Sequence, residues 1–347
     1  MRDITQEILS SVMSDCLPEP IITVIGDLNY DYIFKSPPLQ SGKEVIISGY
    51  SRSLGGAAGV VSCGLAKLGA KVYLVTNLGG DADGRSLFDE MKRHGVLCDG
   101  MRFLKDMKNP FTLIFTQDDE ETPRQVATFP GTLERFSVNT LDLKEYLLKS
   151  SAVYSCNYFI MPVLTEEIGN VFARAHETNI LTVYDANAGD RWENKHSLQT
   201  LTEAIYPNTD VIFLNDSEAR WLSGERNPRE SIRCISPESI MVLIKRGAEG
   251  VVVRYKDSVY EIGSFPLKES IKDTVGAGDS FQACFLYYYL KHFPVKFCSV
   301  LGSANAASTL LYHGGVVGQK DKKELISFIK KYQIFDMEND KISIDSR

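Results

Sequence analysis

After residue 140 the chain alternates short apolar runs with helix-length stretches, and this rhythm constrains the fold more than any other feature. Strands are expected at 152–155, 180–184, 211–214, 241–244 and 251–254, with helical stretches alternating with the first four. Runs apolar at nearly every position have no wet face. They suit parallel strands covered by helices on both sides, because each parallel crossover supplies a helix. Residues 21–25 and 71–76 read as two further buried strands. Helices are expected from Gly55-Gly56 through Leu68 and over about 84–94, then over 277–292, 295–312 and 321–332. The expected fold class is α/β: a doubly wound, mostly parallel sheet with helices on both faces.

Three segments depart from the rhythm. Residues 44–53 are strand-like. Residues 111–116 and 124–129 alternate polar with apolar around an acidic turn at 117–122, as a half-exposed antiparallel ribbon would. Together, about 33–53 and 111–130 form a small β element beside the main domain, which spans 21–335. Residues 1–20 read as an appended N-terminal extension, helical through Ile4, Ile8, Leu9 and Val12 and ended by Pro18 and Pro20. Residues 336–347 read as a polar tail, frayed from Glu338 onward.

The 347 residues are 44% hydrophobic and 24% charged, which is ordinary globular composition. A formal charge of −7 without a basic block argues against a nucleic-acid or anionic-membrane surface. Seven cysteines without C-x-x-C spacing argue against zinc and disulfides, and for a reducing compartment. No signal-like or membrane-spanning run is seen, so the expected location is cytoplasmic.

In a doubly wound sheet, ligands bind beyond the carboxyl ends of the strands. The chemistry-bearing residues fall there. Asp273-Thr274-Val275-Gly276-Ala277-Gly278-Asp279 opens an apolar helix. A Gly-Ala-Gly turn at a helix start can aim backbone N–H groups at an anion, aided by the helix dipole. Asp279 would repel that anion if binding were the only task. It suits a base that takes a proton from an attacking hydroxyl. Asn29 and Asp31 follow the first strand and could bond a polyol, or simply cap a turn. Gly55 and Gly56 permit close ligand approach, or a plain strand-to-helix turn. Asn215 and Glu218, at i and i+3, could hold waters around Mg²⁺ or form a capping box. Lys245, Gly247 and Gly250 lie between two strands and could border a nucleotide or make a connecting turn.

Taken in order over about residues 21–332, these motifs resemble the ribokinase-like, or PfkB, family of carbohydrate kinases. Asp273 to Phe281 is similar to its C-terminal signature. Leu65-Ala66-Lys67-Leu68-Gly69, Gly80-Asp81-Ala82-Asp83-Gly84 and Asn215-Asp216-Ser217-Glu218 support it. The resemblance implies ATP-dependent phosphorylation of a sugar or polyol hydroxyl, with Asp279 as base and the backbone of Gly276, Ala277 and Gly278 as anion hole. It implies sugar contacts from Asn29, Asp31, Gly55 and Gly56. Asn215 and Glu218 would organise Mg²⁺ through water, and Lys245, Gly247, Gly250 and Asn305 would border the nucleotide. Asp273 and Val275 match positions that bind a monovalent cation such as K⁺ in some members. The small β element would be a lid that often makes a homodimer.

Three positions depart from the family pattern. Val60 stands where members often carry Asn, and Lys245 where small hydroxyl residues are frequent. Asp185-Ala186-Asn187 with Arg191-Trp192 is similar to an Asp-x-Asn-x-Arg run, with the arginine displaced. A nucleoside kinase of the same superfamily and a non-catalytic sugar or nucleotide sensor remain the alternative readings.

Overall fold

The computed structural model of the chain describes residues 1–116, 125–156, 160–187, 198–337 and 340–347. Arg191 and Trp192 lie outside them. Strands are numbered from the N-terminus. The large sheet runs β1 (Arg2–Asp3), β15 (Tyr332–Met337), β16 (Lys341–Ser346), β14 (Ser258–Ile262), β13 (Val251–Tyr255), β12 (Met241–Lys245), β11 (Val211–Asn215), β10 (Leu181–Asp185), β9 (Ala152–Cys156), β2 (Ile21–Ile25), β5 (Lys71–Gly79), β6 (Met101–Leu104). From β6 to β12 every pairing is parallel. β13 and β14 then add as an antiparallel hairpin.

The order reverses between β2 and β9, since β5 and β6 extend one way and β10 to β12 the other. Such a switch point opens a crevice at the strands' carboxyl ends. The central parallel strands β2, β9, β10, β11 and β12 are buried on both faces because alternate side chains enter different layers. On β11, Val211 and Phe213 join one core, and Ile212 and Leu214 the other. The helix Ala277–Leu290 lies in the first layer and is buried nearly all round. Its Phe281 and Phe285 pack edge-to-face on Phe213.

A separate sheet runs β4 (Gly49–Gly55), β3 (Asn29–Lys35), β7 (Phe111–Thr116), β8 (Gln125–Phe129). β7 and β8 are antiparallel, as their alternation suggests, and β3 joins β7 in parallel. β4 starts at Gly49, so the strand expected from residue 44 begins later.

Both chain ends differ from expectation. Residues 1–20 are not an appendage. Ile4, Ile8, Leu9 and Val12 of the helix Thr5–Ser14 and its approach are buried in the main core, and β1 pairs with β15. Asp15 and Lys291 form an ion pair at 3.0 Å with both side chains at most 2% exposed. Residues 336–347 are not a frayed tail either. β16 pairs antiparallel with β15 and parallel with β14. Ile342 and Ile344 supply the apolar face that a stretch read as polar hides. Among the described residues, no helix is long and apolar enough to cross a membrane.

Candidate active site

Two helices start at the switch point, and the sequence treats their N-termini differently. The helix Ala57–Leu68 begins at Gly56, with φ of 82°. Its first N–H groups are already used. Ala57 N donates to Asp27 Oδ2 at 3.2 Å and Ala58 N to Asp27 Oδ1 at 3.1 Å. Asp27, the residue after Gly26 at the end of β2, thus caps a helix distant in sequence. The helix Ala277–Leu290 has no side-chain cap. Its N-terminal N–H groups lack that partner and carry the positive end of the dipole. Of the two starts, this one suits an anion.

Gly276 is required by geometry. Its φ is 74°, and a Cβ there would lie 2.3 Å from the Cα of Gly315. Gly315 in turn lies against Val60, whose methyls would be 3.2–3.3 Å from a Cβ at 315. Val60 is buried behind the turn. Asp273 braces the same turn: its carboxylate accepts from Val275 N and from Gly314 N, each at 2.9 Å. Asn305 is turned inward. Fully buried, it donates to Ser280 O at 3.0 Å and accepts from Lys320 N at 2.8 Å, so it anchors the turn from behind.

Asn29, Asp31, Gly55 and Gly56 come together. Asn29 Nδ2 donates to Asp31 Oδ1 at 2.9 Å and to Thr112 Oγ1 of β7 at 3.2 Å. A Cβ at Gly55 would lie about 2.4 Å from the Asp31 carboxylate, and one at Gly56 would lie 2.9 Å from Asn29 Oδ1. The two glycines therefore let the base of the small sheet close onto a pair of buried polar side chains.

Asn215 and Glu218 realise the capping box. Asn215 Oδ1 accepts from Glu218 N at 2.8 Å, and Glu218 Oε2 accepts from Asn215 N at 2.7 Å. Gly247 has φ of 54° with open space around its Cβ position. Gly250, at φ of 86°, lies where a Cβ would run into Ile262 O of the neighbouring strand. Among the described residues, no three His, Cys, Asp or Glu side chains gather to hold a metal ion. An oxygen pair such as Asn215 and Glu218 fits Mg²⁺ only as an ion that keeps most of its water.

Lys245 ends β12 in register with Asn215. Its Nζ meets Asp185 Oδ2 at 3.1 Å and lies 3.4 Å from where a Cβ on Gly278 would be. Asp185, at the end of β10, is 2% exposed and also accepts from Gln282 Nε2. Burial depresses Lys245, but Asp185, Glu218 and Asp279 outweigh it and hold the ammonium above its ordinary pKa. Asp279 moves the other way from a surface carboxyl. Burial raises it; Lys245 opposes; Asp185, Asp27 and Asp31 add to the rise; its pKa reaches about 7. A carboxyl poised there can accept a proton near neutral pH.

Asp27 and Gln282 are the participants that no motif marks, while Asp185 opens the Asp-x-Asn run. Asp27 and Asp185 do sit at strand ends. Gln282 is a lone amide in an apolar helix, three residues beyond Asp279 and so on the same face.

The family model for pfkB family carbohydrate kinases matches residues 21–322. An uncharacterised sugar kinase of Archaeoglobus fulgidus is 26% identical, with 74% of this chain and 97% of that protein covered. A 5-dehydro-2-deoxygluconokinase of Clostridium tetani is 24% identical, with 90% and 92% covered. The Arabidopsis thaliana ribokinase solved with ribose and ATP superposes with a TM-score of 0.76 at 19% identity, over 90% and 99% of the two chains. The nucleoside kinase of Methanocaldococcus jannaschii superposes with a TM-score of 0.73 at 20% identity, over 90% and 100%.

Proposed function

The chain belongs to the pfkB family of carbohydrate kinases, and on that premise we propose that Asp279 is the general base for phosphorylating a sugar or polyol hydroxyl with ATP. The observation that carries this reading is the Asp279 carboxyl in the first turn of a helix whose N-terminus no side chain caps; burial and neighbouring carboxylates raise it to about 7. The acceptor hydroxyl gives its proton to the Asp279 carboxylate. Its oxygen forms the new bond to the γ-phosphorus, the bond to the β,γ-bridging oxygen breaks, and ADP leaves. Backbone N–H groups of the Gly276, Ala277 and Gly278 turn bond the charged equatorial oxygens.

Asn29, Asp31, Gly55 and Gly56 form the acceptor side, supported by their contiguity at the base of the small sheet. Gly247 and Gly250 border the nucleotide, supported by the open space at Gly247. Asn215 and Glu218 would hold the waters of Mg²⁺, which neutralises phosphate charge when bound. The Asp273 and Val275 turn is where K⁺ would act, so the assay is run with and without it. The small sheet is a lid and a homodimer surface, supported by the exposed Tyr50 stacked on Phe34 and Phe115 on one of its faces.

The test is an ATP-consumption panel with Mg²⁺ over fructose, ribose, 5-dehydro-2-deoxygluconate, inositols and nucleosides. Turnover of a free sugar or polyol is expected. Turnover of nucleosides alone would move the reading to a nucleoside kinase. Tight sugar binding without ATP turnover would move it to a sensor.

A further inference from the structure

Resting on the kinase reading above, we propose that Lys245 acts in the phosphoryl-transfer centre itself, its ammonium held at the Gly276-Ala277-Gly278 turn by a buried relay of Tyr154, Gln282 and Asp185. The expected role for Lys245 was to border the nucleotide alongside Gly247 and Gly250. The end of β12 separates it from them: Lys245 is the last strand residue, and Gly247 to Gly250 form the turn beyond. Tyr154, Val183 and Leu243 all enter the layer that holds the helix Ala277–Leu290. Two residues along their strands, Asp185 and Lys245 share that face by the alternation of side chains. Lys245 therefore reaches under the helix start, while Gly247 and Gly250 continue into the outer turn.

The relay is fully buried and each link is present. Tyr154 O–H donates to Gln282 Oε1 at 2.5 Å, and Gln282 Nε2 donates to Asp185 Oδ2. The same oxygen accepts from Lys245 Nζ at 3.1 Å. An ion pair serving only the core would bury both ends. Here the Asp185 side chain is 2% exposed and the Lys245 side chain 18%, so the positive end is the one presented to the crevice. An ammonium has three donors, and Asp185 is its acceptor among the described residues. Gly278, with only hydrogen where a Cβ would stand 3.4 Å from Nζ, lets the cation and the backbone N–H groups address one anion.

The charged groups facing Lys245 are Asp185, Glu218 and Asp279; those facing Asp279 are Lys245, Asp185, Asp27 and Asp31. Lys245 thus has two measurable effects: it binds the transferring group's charge, and it favours ionised Asp279. Asp185 is a positioning residue that acts through Lys245.

The experiment is steady-state kinetics of Lys245→Met, Lys245→Arg, Asp185→Asn and the neutral pair Lys245→Met/Asp185→Asn. It uses MgATP and an acceptor from the panel above. Carboxyl ¹³C NMR titration of Asp279 accompanies it, with the resonance assigned by its loss in Asp279→Asn. Lys245→Met is expected to lower kcat by about 10²- to 10³-fold, as removal of an oxyanion donor does, with KM for ATP changing far less. Its Asp279 midpoint moves to higher pH, because a nearby positive charge is lost. Asp185→Asn moves that midpoint to lower pH, because a nearby negative charge is lost, and also lowers kcat. Lys245→Arg restores part of the rate. The neutral double variant avoids stranding a buried carboxylate and keeps the kcat loss measurable if Lys245→Met fails to fold. A Lys245→Met or double variant with wild-type kcat, or with its loss confined to KM for ATP, overturns this proposal alone. Wild-type protein that transfers phosphate to no acceptor overturns the kinase reading and this proposal with it.

Discussion

At the residue scale, one carboxyl stands apart from the rest. Asp279 combines burial with three neighbouring carboxylates, and Lys245 only partly offsets them, so it titrates near 7 rather than at 3.8. Asp279→Asn keeps the shape and removes the base; kcat is expected to fall by about 10²- to 10⁴-fold, read in a coupled ATP assay. In the wild type, kcat/KM should rise through about pH 7 as Asp279 loses its proton. The same shift has a stability consequence of definite sign. Between 3.8 and about 7 the folded protein holds a proton that the unfolded chain has released. The contribution to stability is therefore full below 3.8 and lost as pH rises through 7. Asp279→Asn should melt higher than wild type at pH 8, with the gain vanishing near pH 4; a pH series of thermal unfolding curves checks it.

At the element scale, the helix Ala277–Leu290 is held at both ends by segments remote in sequence. At its N-terminus, Gly276 lies against Gly315. Gly276→Ala would need a φ that Ala rarely adopts and would drive a Cβ into backbone at 2.3 Å. A loss of about 1–3 kcal/mol and of activity is expected, read by denaturant melts and the ATP assay. Gly278→Ala meets only the flexible end of Lys245 at 3.4 Å. It should fold normally and lose rate. At its C-terminal end, Lys291 pairs with Asp15, and Tyr287 O–H donates to Glu19 at 2.5 Å. Lys291→Met would leave the buried Asp15 carboxylate with only the more distant Lys322 ammonium, at 3.8 Å, for a loss of about 3 kcal/mol, the low end for breaking a buried pair. Asp15→Asn/Lys291→Met should recover much of that in the same denaturant melts. The first twenty residues are thus part of the fold, although Pro18 and Pro20 mark them off in sequence.

At the scale of the whole molecule, one face of the small sheet carries an aromatic row: Tyr50, 71% exposed, stacks on Phe34, which stacks on Phe115. An exposed apolar face of this kind suits the proposed homodimer. Tyr50→Asp is expected to shift a dimer to monomer in sedimentation velocity, and unchanged sedimentation would count against the lid interface. The sequence by itself determined the alternating sheet and the placing of glycines and polar residues at strand ends and helix starts. Strand periodicity, glycine turns and acids at strand ends are local signals, and local signals survive in a linear chain. It did not determine which of those residues meet. Asn215 with Glu218, and Asp27 with the helix Ala57–Leu68, turned out to satisfy backbone N–H groups. Asn305 turned inward, and a β-strand emerged from the stretch read as tail. The Lys245 ammonium lies beside Gly278 and Asp185. Those outcomes depend on which strand lies beside which and on which face each side chain takes. Only the tertiary structure decided them, because Tyr154, Asp185, Lys245 and Gln282 become neighbours only when β9, β10 and β12 are set under one helix.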